Sequence, residues 1–178
     1  VATLFRNETA RGYTKAANIG LRASKGDYMI LLNSDTIVTP GWLEKLIECA
    51  TSRKDIGIVG PLSNCASWQS IPEIFDKNGG WMINNIPEGY SLEMFSNIVA
   101  NVSEKAFPCV SFVNGFCYMI KRAVIDAIGR LDEESFPYGY GEENDFSIRA
   151  RKAGFKLAIA DHAYVYHSKS KSFGHERR

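Results

Sequence analysis

The chain has 178 residues, 45% hydrophobic and 23% charged, with 21 Lys and Arg against 20 Asp and Glu. That length and composition fit one globular domain with a sizeable core. The near-zero net charge excludes the broad basic surface that a nucleic-acid partner would need. The longest apolar runs, such as Tyr28 to Leu32, fall far short of the ~20 residues that cross a bilayer, so no transmembrane segment is predicted. No stretch reads as a signal peptide. Cys49, Cys65, Cys109 and Cys117 show no C-x-x-C spacing, which argues against a metal knuckle. They read as reduced and mostly buried thiols of a cytoplasmic protein.

In chain order, Val1 to Phe5 reads as a short apolar strand that opens in mid-domain, followed by a polar turn to Tyr13. Lys15 to Ala23 carries helix formers with Ala16, Ile19 and Ala23 at helical spacing, and Gly26-Asp27 ends it. Tyr28 to Leu32 is a continuous apolar run, as expected of a central strand buried on both faces of a mostly parallel sheet. Thr39-Pro40 predicts a helix start, with Leu43, Leu46, Ile47 and Ala50 on one stripe. Ile56 to Val59 predicts a strand closed by Gly60-Pro61. The alternation of strands and helices is that of an α/β domain.

Residues 62–108 lack clear periodicity, and so long a loop is usually functional or mobile. Short helices are predicted at Ile71 to Asp76 and Ser91 to Val102. Val110 to Met119 reads as a strand interrupted at Asn114-Gly115. Arg122 to Ile128 reads as a helix capped by Gly129. Glu142 to Ala153 is a firmer helix, acidic at its start, basic near its end and stopped by Gly154. Lys156 to Ala160 and Tyr164 to His167 read as two strands. The basic tail, with Lys169, Lys171, Arg177 and Arg178, reads as a solvated terminus.

Three places could carry chemistry. Asp35, in Asn33-Ser34-Asp35-Thr36, sits at the carboxyl end of a strand, where open α/β sheets bind ligands. It could hold a divalent cation whose shell is completed by substrate phosphates, or merely cap a turn. The run Gly139-Tyr140-Gly141-Glu142-Glu143-Asn144-Asp145 crowds three acids at a helix start. The helix dipole alone would favour that, but the flanking glycines allow close approach of a ligand, and crowded carboxylates raise one another's pKa, as a general base requires. His167, at a strand end, could be a metal ligand, a phosphate donor or an incidental surface group. His162 and His175 have weaker claims.

Taken together, these places carry a resemblance. Asn7, Gly12, Ala17-Asn18-x-Gly20, Gly26-Asp27-Tyr28 and Leu32-Asn33-Ser34-Asp35-Thr36 resemble the stretch of family-2 glycosyltransferases, of GT-A fold, that leads into their D-x-D-type motif. Gly115, Lys121-Arg122, Gly129-x-Leu131-Asp132-Glu133 and the Tyr140 to Gly154 segment resemble that family's acceptor-side half. The resemblance implies a single GT-A-like domain with a central sheet flanked by helices, whose nucleotide-gripping strand and helix would lie ahead of Val1. Such a chain would bind nucleotide weakly or not at all. It also implies an inverting transfer of sugar from a nucleotide-diphosphate sugar to a glycan or lipid-linked acceptor, aided by Mg²⁺ or Mn²⁺.

By the same resemblance, Asn18, Asn33, Ser34 and Asp35 would face the donor, and Gly115, Tyr140 and Gly141 the acceptor. Asp35 and His167 would bind the metal, with Asn33 standing where many members have a first acid. Glu142-Glu143 matches the family's Glu-Asp pair, which makes Glu143 the expected base, one methylene longer than usual, with Asp145 as fallback. A cytoplasmic place in polysaccharide synthesis, compatible with peripheral association at the inner membrane face, follows at family level only. A non-catalytic carbohydrate-binding or assembly relative and a nucleotidyltransferase are the rival readings.

Overall fold

The computed structural model describes residues 2–168. The basic tail and His175 lie outside the described residues. Eleven elements follow in order: α1 (Tyr13–Ala23), β1 (Tyr28–Leu32), β2 (Thr36–Val38), α2 (Trp42–Ser52), β3 (Ile56–Leu62), α3 (Leu92–Val102), β4 (Cys109–Val110), β5 (Cys117–Lys121), α4 (Arg122–Ile128), α5 (Glu142–Lys152) and β6 (Lys156–His167).

The strands form one six-stranded sheet in the order β1-β5-β3-β6-β2, with β4 also on β6. Period-2 alternation sends successive side chains to opposite faces. Tyr118 and Ile120 of β5, Ile58 of β3, and Leu157 and Ile159 of β6 pack with Leu21, Val124, Ile125, Phe146 and Ala150 from α1, α4 and α5. Cys117, Met119, Val59, Ala158 and Ala160 point the other way, onto Leu46, Cys49 and Ala50 of α2. Helices thus cover both faces, and each fully buried Ile or Leu contributes about 1.5–3 kcal/mol.

The mostly parallel sheet that the apolar runs predict is corrected here. Only β3 and β6 pair in parallel; β1–β5, β3–β5, β2–β6 and β4–β6 are antiparallel. An apolar run reports burial on both faces, not strand direction, and β5 enters between β1 and β3 running against both.

Other elements also differ from expectation. Residues 2–5 form no strand, and Leu4 and Phe5 are 86% and 54% exposed; apolar composition makes no strand without a partner edge. Gly60-Pro61 does not close β3. The β5 ladder ends at Val59–Met119, so Pro61 meets β6 on one side only, as proline in a strand requires. Thr39 is not a side-chain cap. Gly41 takes that place with φ 71°, while the Thr39 hydroxyl donates to the Tyr164 carbonyl at 2.6 Å. Ile71 to Asp76 is not helical, whereas α3 forms as expected, with Ser91 Oγ accepting from Met94 N at 3.1 Å. The two C-terminal strands are one, β6, whose register shifts opposite Pro61 and Leu62. Cys49, Cys65 and Cys117 are buried and Cys109 is exposed, all as free thiols.

Candidate functional site

β1 ends in a tight turn. Asn33 N donates to the Phe116 carbonyl at 2.9 Å, and the Asn33 carbonyl accepts Thr36 N at 3.3 Å and Thr36 Oγ1 at 2.7 Å. The chain then runs into β2, where Thr36 pairs with His167 at the end of β6. Ser168 N closes the ladder onto the Asp35 carbonyl at 2.9 Å. This register sets the Asp35 carboxylate beside the His167 ring, with Oδ1 3.4 Å from Nε2 and each side chain nearly buried.

The ring of His167 is held on three sides. Phe116 stacks on it at 5.2 Å and 19°. Its Nδ1 lies 3.1 Å from the Cys65 carbonyl, and Asn64 grips its backbone through Nδ2 to the carbonyl and Oδ1 from the amide. A carbonyl can only accept, so Nδ1 carries the proton in the neutral ring, and Nε2 keeps its lone pair on the side of Asp35. That orientation is how histidine ligands are commonly fixed. Among the described residues, no third His, Cys, Asp or Glu joins the pair.

Phe116 also links this pair to a pocket of about 150 Å³. One wall is Asn33 with residues 114–116; the other is residues 138–140 with Glu142 and Glu143; Tyr13 of α1 closes the base. The second wall depends on glycine. Gly139 and Gly141 have φ of 100° and 126°, and a Cβ on Gly141 would lie 2.8 Å from the Phe136 ring. Chain direction therefore turns sharply before α5 and aims its first turn into the pocket.

The electrostatics follow from that placement. Glu142 is 5% exposed, and Glu142 Oε2 and Glu143 Oε2 are buried with no hydrogen-bond partner. Burial first, and then the Glu143 charge, push the Glu142 carboxyl up to about 7. Burial and the same two carboxylates push the Tyr13 phenol well above its usual range. The Glu142–Glu143 pair is thus a desolvated acidic site with unused acceptor capacity.

Asn33, Gly115, Tyr140, Glu142 and Glu143 of the predicted set line this pocket, and Gly141 adjoins it. Asp35 and His167 meet beside it through Phe116. Ser34 is exposed in the turn. Two residues are elsewhere. Asn18 is spent tying α1 to the segment before α5, with Nδ2 donating to the Leu131 carbonyl and Glu133 Oε2 and Oδ1 accepting from Leu131 N. Asp145, the fallback base, is turned away: Arg149 Nε donates to its Oδ2 at 2.7 Å. One helical turn separates it from Gly141, and on an α-helix that face also carries Arg149. Tyr13, Asn64, Asn114 and Phe116 escaped the sequence reading. None belongs to a local motif, and only long-range pairing brings them in.

The chain is 28% identical over 174 residues to chondroitin synthase of Escherichia coli, covering 88% of this chain and 25% of that protein. It is 27% identical over 164 residues to the N-acetylglucosaminyl-diphospho-decaprenol L-rhamnosyltransferase of Mycobacterium tuberculosis, covering 84% of this chain and 50% of that one. The chain therefore spans between a quarter and a half of these relatives. The crystal structure of GalNAc-T7 with UDP, GalNAc and Mn²⁺ superposes with a TM-score of 0.65 at 20% identity, over 92% of this chain and 31% of that chain, which shows a shared GT-A-like fold. The family profile of glycosyl transferase family 2 matches residues 2–129, well over half of the sequence, and the chain belongs to that family.

Proposed function

We propose that this chain carries the metal-binding and acceptor-side machinery of an inverting glycosyltransferase that uses a nucleotide-diphosphate sugar and a glycan or lipid-linked acceptor hydroxyl. The observation that carries the reading is the meeting of Asp35 and His167. Two donors from opposite ends of the chain are held 3.4 Å apart, with the histidine lone pair oriented by a backbone carbonyl. These donors fit a hard or borderline divalent cation that takes its remaining ligands from phosphate oxygens and water. When bound there, Mg²⁺ or Mn²⁺ supplies Lewis-acid neutralisation of the diphosphate leaving group. Asn33 and Ser34 flank the same turn on the donor side.

The acid pair supplies the other half of the chemistry. Glu143 takes the proton of the acceptor hydroxyl as that oxygen attacks the anomeric carbon and the bond to the diphosphate breaks. Its unpartnered Oε2 is suited to accept that proton. Glu142, buried beneath it, keeps the site desolvated and holds a proton near neutrality, which limits repulsion against the base. A Cβ on Gly115 would lie 3.6 Å from the Glu143 side chain, so glycine at this position leaves that space to the acceptor, with Tyr140 on the far wall and Gly141 adjoining it. The likeness to a chondroitin synthase and to a rhamnosyltransferase supports sugar transfer as the reaction class. Among the described residues no helix is long and apolar enough to cross a membrane.

The test is cation binding, read from the loss of the free Mn²⁺ electron paramagnetic resonance signal, with and without UDP, GDP or dTDP. The chain should bind Mn²⁺, and Asp35→Ala and His167→Ala should each abolish binding while melting at the wild-type temperature without metal. Unchanged Mn²⁺ binding in both variants would remove the basis of the assignment. Asn33 in place of an acid supports a second reading, a carbohydrate-binding relative without catalysis. Mn²⁺ binding with no sugar transfer to any acceptor would favour it.

A further inference from the structure

The segment between β3 and α3 is neither loose nor generic. Gln69, fully buried, donates from Nε2 to the Pro61 carbonyl at 2.6 Å and accepts Asn114 N on Oε1 at 2.7 Å. Asn84 donates to the carbonyls of Asn64 and Glu73, and Asn64 in turn grips His167. Buried amides therefore register this segment against both halves of the candidate site.

On that frame stands a set of exposed rings. Phe75 and Trp81 pair across a short antiparallel bridge and stack at 5.0 Å and 24°. Trp68 meets Trp81 edge-on at 5.8 Å and Phe112 edge-on at 5.3 Å, with its Nε1 donating to the Phe112 carbonyl at 3.1 Å. Yet Trp68, Trp81 and Phe75 remain 45%, 44% and 55% exposed. Rings locked in orientation while keeping an open face are poor core and good recognition surface. Trp68 also walls an open cavity of about 500 Å³ that includes Ser111 and Asp161, a volume typical of small-molecule sites.

We propose that Trp68, Trp81 and Phe75 form a stacking platform for a sugar ring of a bound oligosaccharide, outward of the pocket that holds Glu143. A pyranose presents one face of C–H groups, weakly positive, which matches the negative face of an aromatic ring, while its hydroxyls find polar partners such as Ser111 and Asp161. Continuity selects this occupant: Phe112, edge-on to Trp68, lies two residues from Asn114, which lines the pocket with Glu142 and Glu143, so the platform and the pocket share the segment 112–114. Naming the ligand as the acceptor glycan rests on the sugar-transfer reading above.

The test uses the indole N–H resonances of the three tryptophans. Trp42, on α2 and packed against the core, serves as an internal control. Maltohexaose, cellohexaose and chitohexaose are titrated without nucleotide or metal. The expected result is movement of the Trp68 and Trp81 signals but not Trp42, and about tenfold weaker binding in Trp81→Ala at unchanged melting temperature. Phe75→Ala, at the most exposed of the three rings, gives the same comparison if Trp81→Ala unfolds. The proposal is overturned if none of the three saccharides moves either signal. It is equally overturned if only phosphatidylcholine vesicles or raised protein concentration move them, since a membrane or a second copy would then be the occupant. Because donor and metal are left out, failure of sugar transfer does not alter this outcome, and loss of saccharide binding does not alter Mn²⁺ binding.

Discussion

Burying Glu142 costs stability, and the cost has a definite pH signature. The carboxyl is raised from 4.5 to about 7 in the folded chain, because it is 5% exposed and stands beside Glu143. A folded state that holds the proton more tightly than the unfolded state gains from it at low pH. The stabilisation is fully present below about pH 4.5 and is lost as the pH rises through about 7. At about 1.4 kcal/mol per pH unit, the interval is worth at most ~3 kcal/mol. The pocket is open to water, which screens part of this, so the expected loss between pH 5 and pH 8 is about 1–2 kcal/mol. Glu142→Gln removes the titration, keeps the shape and gives the unpartnered Glu143 Oε2 an amide donor. Urea unfolding of both proteins across that range should show a stability difference that is small at pH 5 and favours the variant by about 1–2 kcal/mol at pH 8. Groups that do not interact with Glu142 are shared and cancel in the difference, so what is left belongs to the Glu142–Glu143 pair. Parallel stability–pH profiles would refute the raised pKa and, with it, the desolvated acid pair.

Three further outcomes are expected. Glu143→Gln should lower turnover of sugar transfer by ~10²–10⁴-fold while leaving Mn²⁺ binding at its wild-type value, read by initial rates and paramagnetic resonance on the same samples. Gly12→Ala should cost about 1–3 kcal/mol in thermal unfolding, since Gly12 has φ 82° and a Cβ would run into the Pro137 carbonyl, the close contact that ties α1 to the wall carrying Tyr138. Gln69→Ala should cost about 1–3 kcal/mol by removing the side-chain partner of the part-buried Asn114 N and of the buried Pro61 carbonyl. The same change should loosen the ring platform, visible as broadened Trp68 and Trp81 indole signals; sharp, unshifted signals would contradict the anchoring role.

Much of the architecture was legible locally. The helices α1, α3, α4 and α5 and the strand β1 follow from apolar spacing and terminal signals, because these depend on neighbours within one or two turns. Asp35 and the Glu142–Glu143 pair were legible for a related reason: a carboxylate at a strand end and acids after a glycine turn sit where the backbone itself concentrates ligand-binding capacity. Tertiary structure decided what depends on partners far along the chain. It determined that β5 runs antiparallel between β1 and β3, and that residues 2–5 pair with nothing. It determined that Asp145 is committed to Arg149 and Asn18 to Leu131 and Glu133. It also decided that the unpatterned segment after β3 is pinned by buried Asn and Gln side chains, residues with no periodic signature. By itself the sequence determined which side chains could do chemistry. Only long-range strand register, which sets Thr36 opposite His167, decided that Asp35 would have a partner, because hydrogen-bonded ladders couple positions that no local pattern links.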